Sequence, residues 1–145
     1  MKTIEKDALL EFILSNHRFW ATRSREVLAT YLAWFQDRGL LASSFVGEEP
    51  FAICAVRFFD RLEDFLDQWA FNPEGDFCMI ELLVSASPLA QADTFNQLVG
   101  RWGPRKVVIW ERGDRTIESA GSPRMFTWEG FVRLTRRMTY GTIDL

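Results

Sequence analysis

Residues 77–110 read FCMIELLVSASPLAQADTFNQLVGRWGPRKVVIW, which is the pattern of a strand, a helix and a second strand. The apolar run FCMIELLV (77–84) has the length and composition of a buried strand. Ser85 and Ser87 offer capping hydroxyls, and Pro88 suits the first position of a helix. KVVIW (106–110) is the second strand. Unpaired N–H groups at a helix N-terminus attract anions, so this unit indicates a small-molecule site where the first strand ends.

The rest of the chain shows helical and strand patterns in a definite order. The periodicity predicts helices over about 3–15, 22–38, 88–100 and 127–138, and a short amphipathic helix marked by Leu62, Phe65, Leu66 and Trp69. It predicts a hairpin of strands 40–46 and 51–58 around the turn 47–50, and a turn at Gly113–Asp114 with a short strand in the polar stretch 111–124. This order predicts an α+β fold: one domain over residues 1–145, with a mixed β-sheet flanked by helices.

Composition narrows the class of protein. The chain has 145 residues, of which 48% are hydrophobic and 26% charged, as in an ordinary globular domain. No apolar run reaches the roughly 20 residues of a membrane span, and the first residues lack the pattern of a signal peptide. Cys54 and Cys78 both lie inside apolar runs. We therefore expect two buried thiols in a cytoplasmic protein.

The formal charge of −3 conceals a gradient along the chain. Residues 1–96 carry 8 basic and 15 acidic side chains, whereas residues 97–145 carry 9 basic and 5 acidic ones. The basic C-terminal third suits an acidic or phosphorylated partner, but it is equally an ordinary solvated surface. No nucleic acid partner is expected, because the pI is about 5.2 and no basic stripe is present.

His17 is the first candidate for chemistry. The familiar metal-ligand, nucleophile and phosphate-loop motifs do not occur, and one histidine with two separated cysteines makes no ordinary zinc site. His17 lies in SNHRFW, in a break between two predicted helices. A histidine there can face a cleft and accept a proton from an attacking amine or hydroxyl. The alternative is a structural histidine that caps a helix end.

Glu81 is the second candidate. A carboxylate inside the apolar run CMIELLV must be paired, solvated by a cleft, or at a strand edge facing water, because burying it alone is costly. If it lines a cleft, it can act as a base or orient His17. The alternative is an ion pair with one of the arginines of the chain.

Three segments carry a resemblance to a known family. SNHRFW (15–20) resembles the catalytic-histidine segment of the toxin-activating lysine acyltransferases, small bacterial enzymes with a GNAT-like fold. EPFAIC (49–54) resembles their hairpin, in which proline precedes an apolar strand containing cysteine. DFCMIE (76–81) lies where the family has an aspartate in its central strand, here replaced by Glu81. The likeness extends over residues 15–111, whose order of elements is similar to that of the GNAT superfamily.

This resemblance implies an acyltransferase that transfers an acyl group from a thioester donor to an amine, which a protein lysine can supply. The donor is acyl-CoA or acyl carrier protein, with no tightly bound cofactor and no metal, and a homodimer is compatible with this function. His17 is then the general base and Glu81 orients or assists it. The acyl donor is bound by Leu83, Val84, Ser85 and Arg101.

One departure from the GNAT pattern supports a different function. The segment SASPLAQ (85–91) contains no glycine, whereas the phosphate-binding loop of the superfamily has spaced glycines. The missing glycines favour a non-enzymatic GNAT-like structural or accessory protein of a phage or mobile element, while the His17 segment favours the enzyme. A binding module for an acidic partner is the third hypothesis, based on the basic C-terminal third.

Overall fold

The computed structural model describes residues 3–67, 69–110 and 124–140. Their elements, in chain order, are α1 (Thr3–Asn16), α2 (Arg18–Ala21), α3 (Arg25–Asp37), β1 (Leu41–Val46), β2 (Glu49–Phe59), a 3₁₀ helix (Leu62–Leu66), β3 (Phe77–Ser85), α4 (Pro88–Trp102), β4 (Val107–Trp110), β5 (Arg124–Thr127) and α5 (Trp128–Tyr140).

The five strands form one mixed sheet in the order β1-β2-β3-β4-β5. β3 and β4 are parallel and are joined through α4, while the other neighbouring pairs are antiparallel. β3 is therefore the central strand, and the predicted α+β fold with a mixed sheet is confirmed. No helix within the described ranges is long and apolar enough to cross a bilayer.

Local signals set the ends of several elements. The Ser87 hydroxyl accepts a hydrogen bond from the Ala90 N–H at 3.1 Å, with Pro88 at the first turn of α4, as predicted. The Ser24 hydroxyl accepts from the Val27 N–H in the same way and begins α3. Gly47, at φ +62°, adopts the left-handed conformation that the tight turn between β1 and β2 requires.

The sheet lies between two layers of helices. Side chains of β2 alternate between its faces, so Phe58 points to one face, where its ring meets Trp102 of α4. α5 packs on α4 through Phe95 and Phe131, whose ring centroids are 5.0 Å apart. α1 and α3 cover the opposite face, together with the segment that follows β2. We call these the α4 face and the α3 face.

Two predicted helices differ in the structure. The predicted helix over 22–38 begins only at Arg25, because Ser24 caps it, and the short helix α2 precedes it. The predicted amphipathic helix around Leu62 is one 3₁₀ turn, and Leu66 on it is 86% exposed. The turn predicted at Gly113–Asp114 lies outside the described residues.

Candidate functional site

β3 changes its register at Glu81. Val56 of β2 pairs with Ile80, but the next residue of β2, Ala55, pairs with Leu82, so Glu81 is the extra residue of a β-bulge. Because paired residues share a face of the sheet, the bulge reverses the alternation along β3. Ile80 lies on the α4 face, whereas Leu82 lies on the α3 face.

One edge of β3 has no strand beside it beyond this bulge, among the described residues. The pairing of β3 with β4 runs from Phe77 to Ile80, whereas β3 continues to Ser85. The Ala86 N–H donates to a β2 carbonyl, and the direction of main-chain groups alternates along an antiparallel ladder. The N–H and C=O groups of Leu83 and Ser85 therefore point away from β2. We call this stretch, 81–85, the open edge of β3.

The open edge leads directly to the N-terminus of α4. The chain's own side chains already use part of that terminus, since the Ser87 hydroxyl accepts from the Ala90 N–H. The Ser85 hydroxyl lies 3.1 Å from Gln91 Oε1, to which it donates. Of the residues predicted to bind an acyl donor, Leu83, Val84 and Ser85 thus lie together at this end of the sheet.

Glu81 forms a buried ion pair with Arg57. Arg57 Nε donates to Glu81 Oε1 at 2.7 Å, and the two side chains are 1% and 8% exposed. The bulge places Glu81 on the α3 face, the same face as Arg57 of β2. The ion pair with an arginine, which the sequence allowed as an alternative, is therefore present.

The Arg57 guanidinium also holds the segment that follows β2. Nη1 donates to the main-chain oxygens of Asp64, Asp67 and Ala70 at 3.2, 2.8 and 2.7 Å, and Nη2 donates to that of Phe65 at 3.2 Å. Sequence reasoning did not single out Arg57. The signal that could have identified it is a pair of opposite charges, one in each of two apolar strands. AICAVRFF contains one arginine, and the apolar strand predicted after it contains one glutamate.

His17 lies between α1 and α2, in the break that the sequence predicted. The Trp20 N–H points at His17 Nδ1 at a distance of 3.4 Å, and the rings of His17 and Phe19 make an edge contact. His17 therefore caps the start of α2, with an N···N distance longer than that of a good hydrogen bond. Nδ1 is the unprotonated ring nitrogen in this arrangement.

An open groove of ≈ 640 Å³ begins beside His17 and runs between α1 and the β1–β2 hairpin. Its walls include Phe12 and Asn16 of α1 and Pro50 of the hairpin. Ala52, two residues after Pro50, pairs with Ser85. The hairpin wall of this groove therefore lies at the end of the sheet where β3 ends, and His17 directly follows Asn16 of its other wall.

Arg101 lies elsewhere. It is in the last turn of α4, 13 residues after Pro88, or about 20 Å along the helix at 1.5 Å per residue. Its guanidinium donates to the main-chain oxygens of Leu41 and Gly39 at 2.8 and 3.2 Å, at the outer edge of β1. β1 and β2 thus separate Arg101 from the open edge of β3.

The two thiols and the acidic side chains form no further site. Cys54 and Cys78 are buried, and burial raises the pKa of Cys54 to about 12 and that of Cys78 well above its ordinary value. Such thiols remain protonated at neutral pH. Within the residues that the structure describes, no three His, Cys, Asp or Glu side chains are grouped to hold a metal ion.

Searches against protein-family models, curated proteins and solved structures find no match to this chain.

Proposed function

We propose that this protein is an acyltransferase that transfers an acyl group from a thioester donor to an amine. The observation that carries the proposal is the open edge of β3, the stretch 81–85 that no other described strand pairs with on the β4 side, which leads from the Glu81 bulge to the N-terminus of α4. Bulges are frequent next to active sites, because they end or redirect strand pairing. The donor is acyl carrier protein or acyl-CoA, and no metal or tightly bound cofactor takes part.

The donor's pantetheine arm suits this edge. The arm is extended and carries amide groups, so it can pair with main-chain groups as an added strand does. In the proposal it bonds to the outward N–H and C=O groups of Leu83 and Ser85. In the proposal its thioester then comes within reach of His17.

The reaction needs one proton acceptor. The amine nitrogen attacks the thioester carbonyl carbon, the new C–N bond forms, the C–S bond breaks and the sulfur leaves as a thiolate that takes up a proton. His17 Nδ1 accepts the proton that the amine loses.

Glu81 acts in this proposal through the strand. Its ion pair with Arg57 holds the bulge from which the stretch that receives the donor begins. A direct orienting role on His17 stays a prediction.

The acceptor amine, such as a protein lysine, enters by the groove beside α1, whose rim carries Glu11, Glu48 and Glu49. We place the protein in the cytoplasm, where its buried thiols remain reduced.

One observation favours the non-enzymatic alternative, a phage or mobile-element accessory protein. Ser87 caps the α4 N-terminus with its own hydroxyl, and no glycine lies between Ser85 and Gln91 to let a diphosphate approach the backbone. The donor experiment below separates the two functions.

The donor test measures thermal stability with a panel of acyl carrier proteins and acyl-CoAs of different chain length. A donor that binds only the folded state stabilises it by roughly 2.7 kcal/mol at a hundredfold excess over its dissociation constant. Leu83→Pro should abolish this gain, because it removes an outward N–H without removing a bond to β2. Leu83→Ala is the matched control, since it loses the same side chain and keeps the N–H. If no donor stabilises the wild-type chain, the acyltransferase proposal is wrong.

The base test uses His17→Ala and His17→Asn. Both should lower turnover by about 10²–10⁴-fold, because neither side chain accepts the amine proton near neutral pH. Asn retains a side-chain acceptor for the start of α2, so His17→Asn should melt as the wild type does. Wild-type turnover in the His17→Asn variant would remove His17 from the mechanism.

A further inference from the structure

The segment between β2 and β3 exposes large apolar side chains. Leu62, Leu66 and Trp69 are 48%, 86% and 65% exposed. Scattered single apolar residues are ordinary on a protein surface, but three within eight positions are not. We call these three side chains the apolar loop surface.

Hydrogen bonds from Arg57 anchor the backbone that carries this surface. Arg57, 1% exposed, donates hydrogen bonds to main-chain oxygens at four positions of the segment, from Asp64 to Ala70. The carbonyl groups therefore point inward, and Trp69 rests its ring against Trp34 at a centroid distance of 6.4 Å. Burying a charged side chain costs free energy. Here the buried Arg57 guanidinium fixes the backbone from which the exposed side chains of Leu66 and Trp69 project. A preorganised binding surface gains affinity, because its backbone loses little conformational entropy on association.

The surroundings of the apolar loop surface are acidic. Glu63, Asp64 and Asp67 lie between its members. Two cations lie nearby: Arg61, 3.6 Å from Asp64, and Arg38, whose guanidinium stacks on the Trp34 ring at 4.1 Å. A complementary surface therefore carries arginine or lysine around an apolar contact.

The chain itself carries such a surface on α5. Arg133, Arg136 and Arg137 are exposed, and their spacing of three and four residues places them on one face of the helix. Tyr140, 54% exposed, lies one turn beyond Arg136 on the same face. We call this the arginine face. Arginine and tyrosine are among the residues most enriched in protein interfaces.

The two surfaces lie on opposite faces of the sheet. The apolar loop surface sits beside α3 through the Trp34–Trp69 contact, whereas α5 packs on α4 through Phe95 and Phe131. They cannot meet within one molecule. We propose that the apolar loop surface of one copy of this chain binds the arginine face of a second copy.

This contact joins two different surfaces, so it leaves one of each unoccupied on every pair. Association of this head-to-tail kind continues to rings or open chains rather than stopping at two copies. The inference does not depend on the acyltransferase proposal, and it suits a structural protein as well as an enzyme.

Two variants test it by equilibrium sedimentation of the full chain. Wild-type mass should rise with protein concentration, and the association should weaken in about 1 M salt because exposed charges are screened. Leu66→Ser/Trp69→Ser removes the apolar anchors, and Arg136→Glu/Arg137→Glu reverses the opposite surface. Each should weaken self-association by about 30-fold or more, the effect of losing an interface hot spot.

Mixing the two variants is the decisive measurement. Each retains one intact surface, so an equimolar mixture should form a complex of two chains and no larger species. Leu89→Ser and Arg23→Glu are matched controls at exposed positions outside both surfaces, and they should associate as the wild type does. A wild-type chain that stays monomeric at high concentration, or a mixture that stays monomeric, overturns the proposal. So does a mixture that forms complexes larger than two chains, because the contact would then not be head-to-tail between these surfaces.

Discussion

Arg57 joins the β3 bulge to the loop after β2, and we expect its replacement to be among the most destabilising single changes in this chain. Arg57→Met removes the ion pair of the nearly buried Glu81 carboxylate, a loss that in buried pairs costs about 3–5 kcal/mol. Four loop carbonyls lose a donor as well. We predict a loss of at least about 4 kcal/mol in the free energy of unfolding, or about 10 °C in Tm for a domain of this size.

Two further variants show where this energy resides. Glu81→Gln keeps an acceptor for Arg57 Nε but removes the counter-charge, so we expect a loss of about 3 kcal/mol. Arg57→Met/Glu81→Leu removes both charges, a change that is often neutral for a simple buried ion pair. Here the main-chain oxygens of Phe65 and Ala70 lose the guanidinium donor, whereas those of Asp64 and Asp67 still accept from the Asp67 and Ala70 N–H groups. At about 1 kcal/mol or more for each lost donor, the double variant should stay about 2 kcal/mol or more below the wild type.

The assay is urea denaturation followed by circular dichroism at one pH and salt concentration, with all four chains in one double-mutant cycle. Arg38→Met is a control. Arg38 is exposed and stacks on the Trp34 ring at 4.1 Å, as the buried Arg57 stacks on the Phe59 ring at 4.7 Å. It should cost less than about 1 kcal/mol. Wild-type stability in Arg57→Met/Glu81→Leu would refute the reasoning, because the loop carbonyls would then not depend on the guanidinium.

Two other predictions concern glycines and thiols. Gly103→Ala should destabilise by about 2 kcal/mol or more, because the added Cβ would overlap the Trp128 ring. Gly100→Ala, with no atom within 4 Å of the added Cβ, should stabilise α4 by up to about 1 kcal/mol. Urea denaturation checks both, and equal effects would contradict the packing argument. Raising the pH above 9 should lower the free energy of unfolding by up to about 1.4 kcal/mol per pH unit for each thiol, because unfolded thiols ionise there, while the pKa of buried Cys54 is raised to about 12. Cys54→Ala/Cys78→Ala should show a shallower decline, and an unchanged slope would contradict it.

The sequence predicted the fold because its strongest signals are local. The strand, helix and strand of 77–110 follow from apolar length, a serine cap and a proline, and each of these acts within a few residues. The apolar spacing around Leu62 is also a local signal, and it predicted an amphipathic helix where the structure has one 3₁₀ turn. Periodicity shows which residues share one side of a segment. It does not show the hydrogen bonds by which Arg57, on strand β2, holds the loop carbonyls inward while Leu66 is exposed.

The candidate site was less predictable because it depends on pairing between strands. Alternation along FCMIELLV suggests that Ile80 and Leu82 share a face, yet the bulge at Glu81 places them on opposite faces. A bulge is set by the register of two strands, which a single sequence does not contain. The position of Arg101 at the outer edge of β1 likewise depends on how α4 crosses the sheet.

That position of Arg101 has a consequence for solubility. The outward carbonyls of an edge strand are a template onto which strands of other molecules can add, the first step toward fibrils. At β1 those carbonyls are already occupied, since Gln97 Nε2 donates to Ser43 at 2.8 Å and Arg101 donates to Leu41. A cationic side chain across the edge also repels a cationic neighbour. α4 thereby shields the flank of the sheet farthest from the open edge against amyloid-type growth, and truncating Gln97 and Arg101 would remove that protection without touching the core.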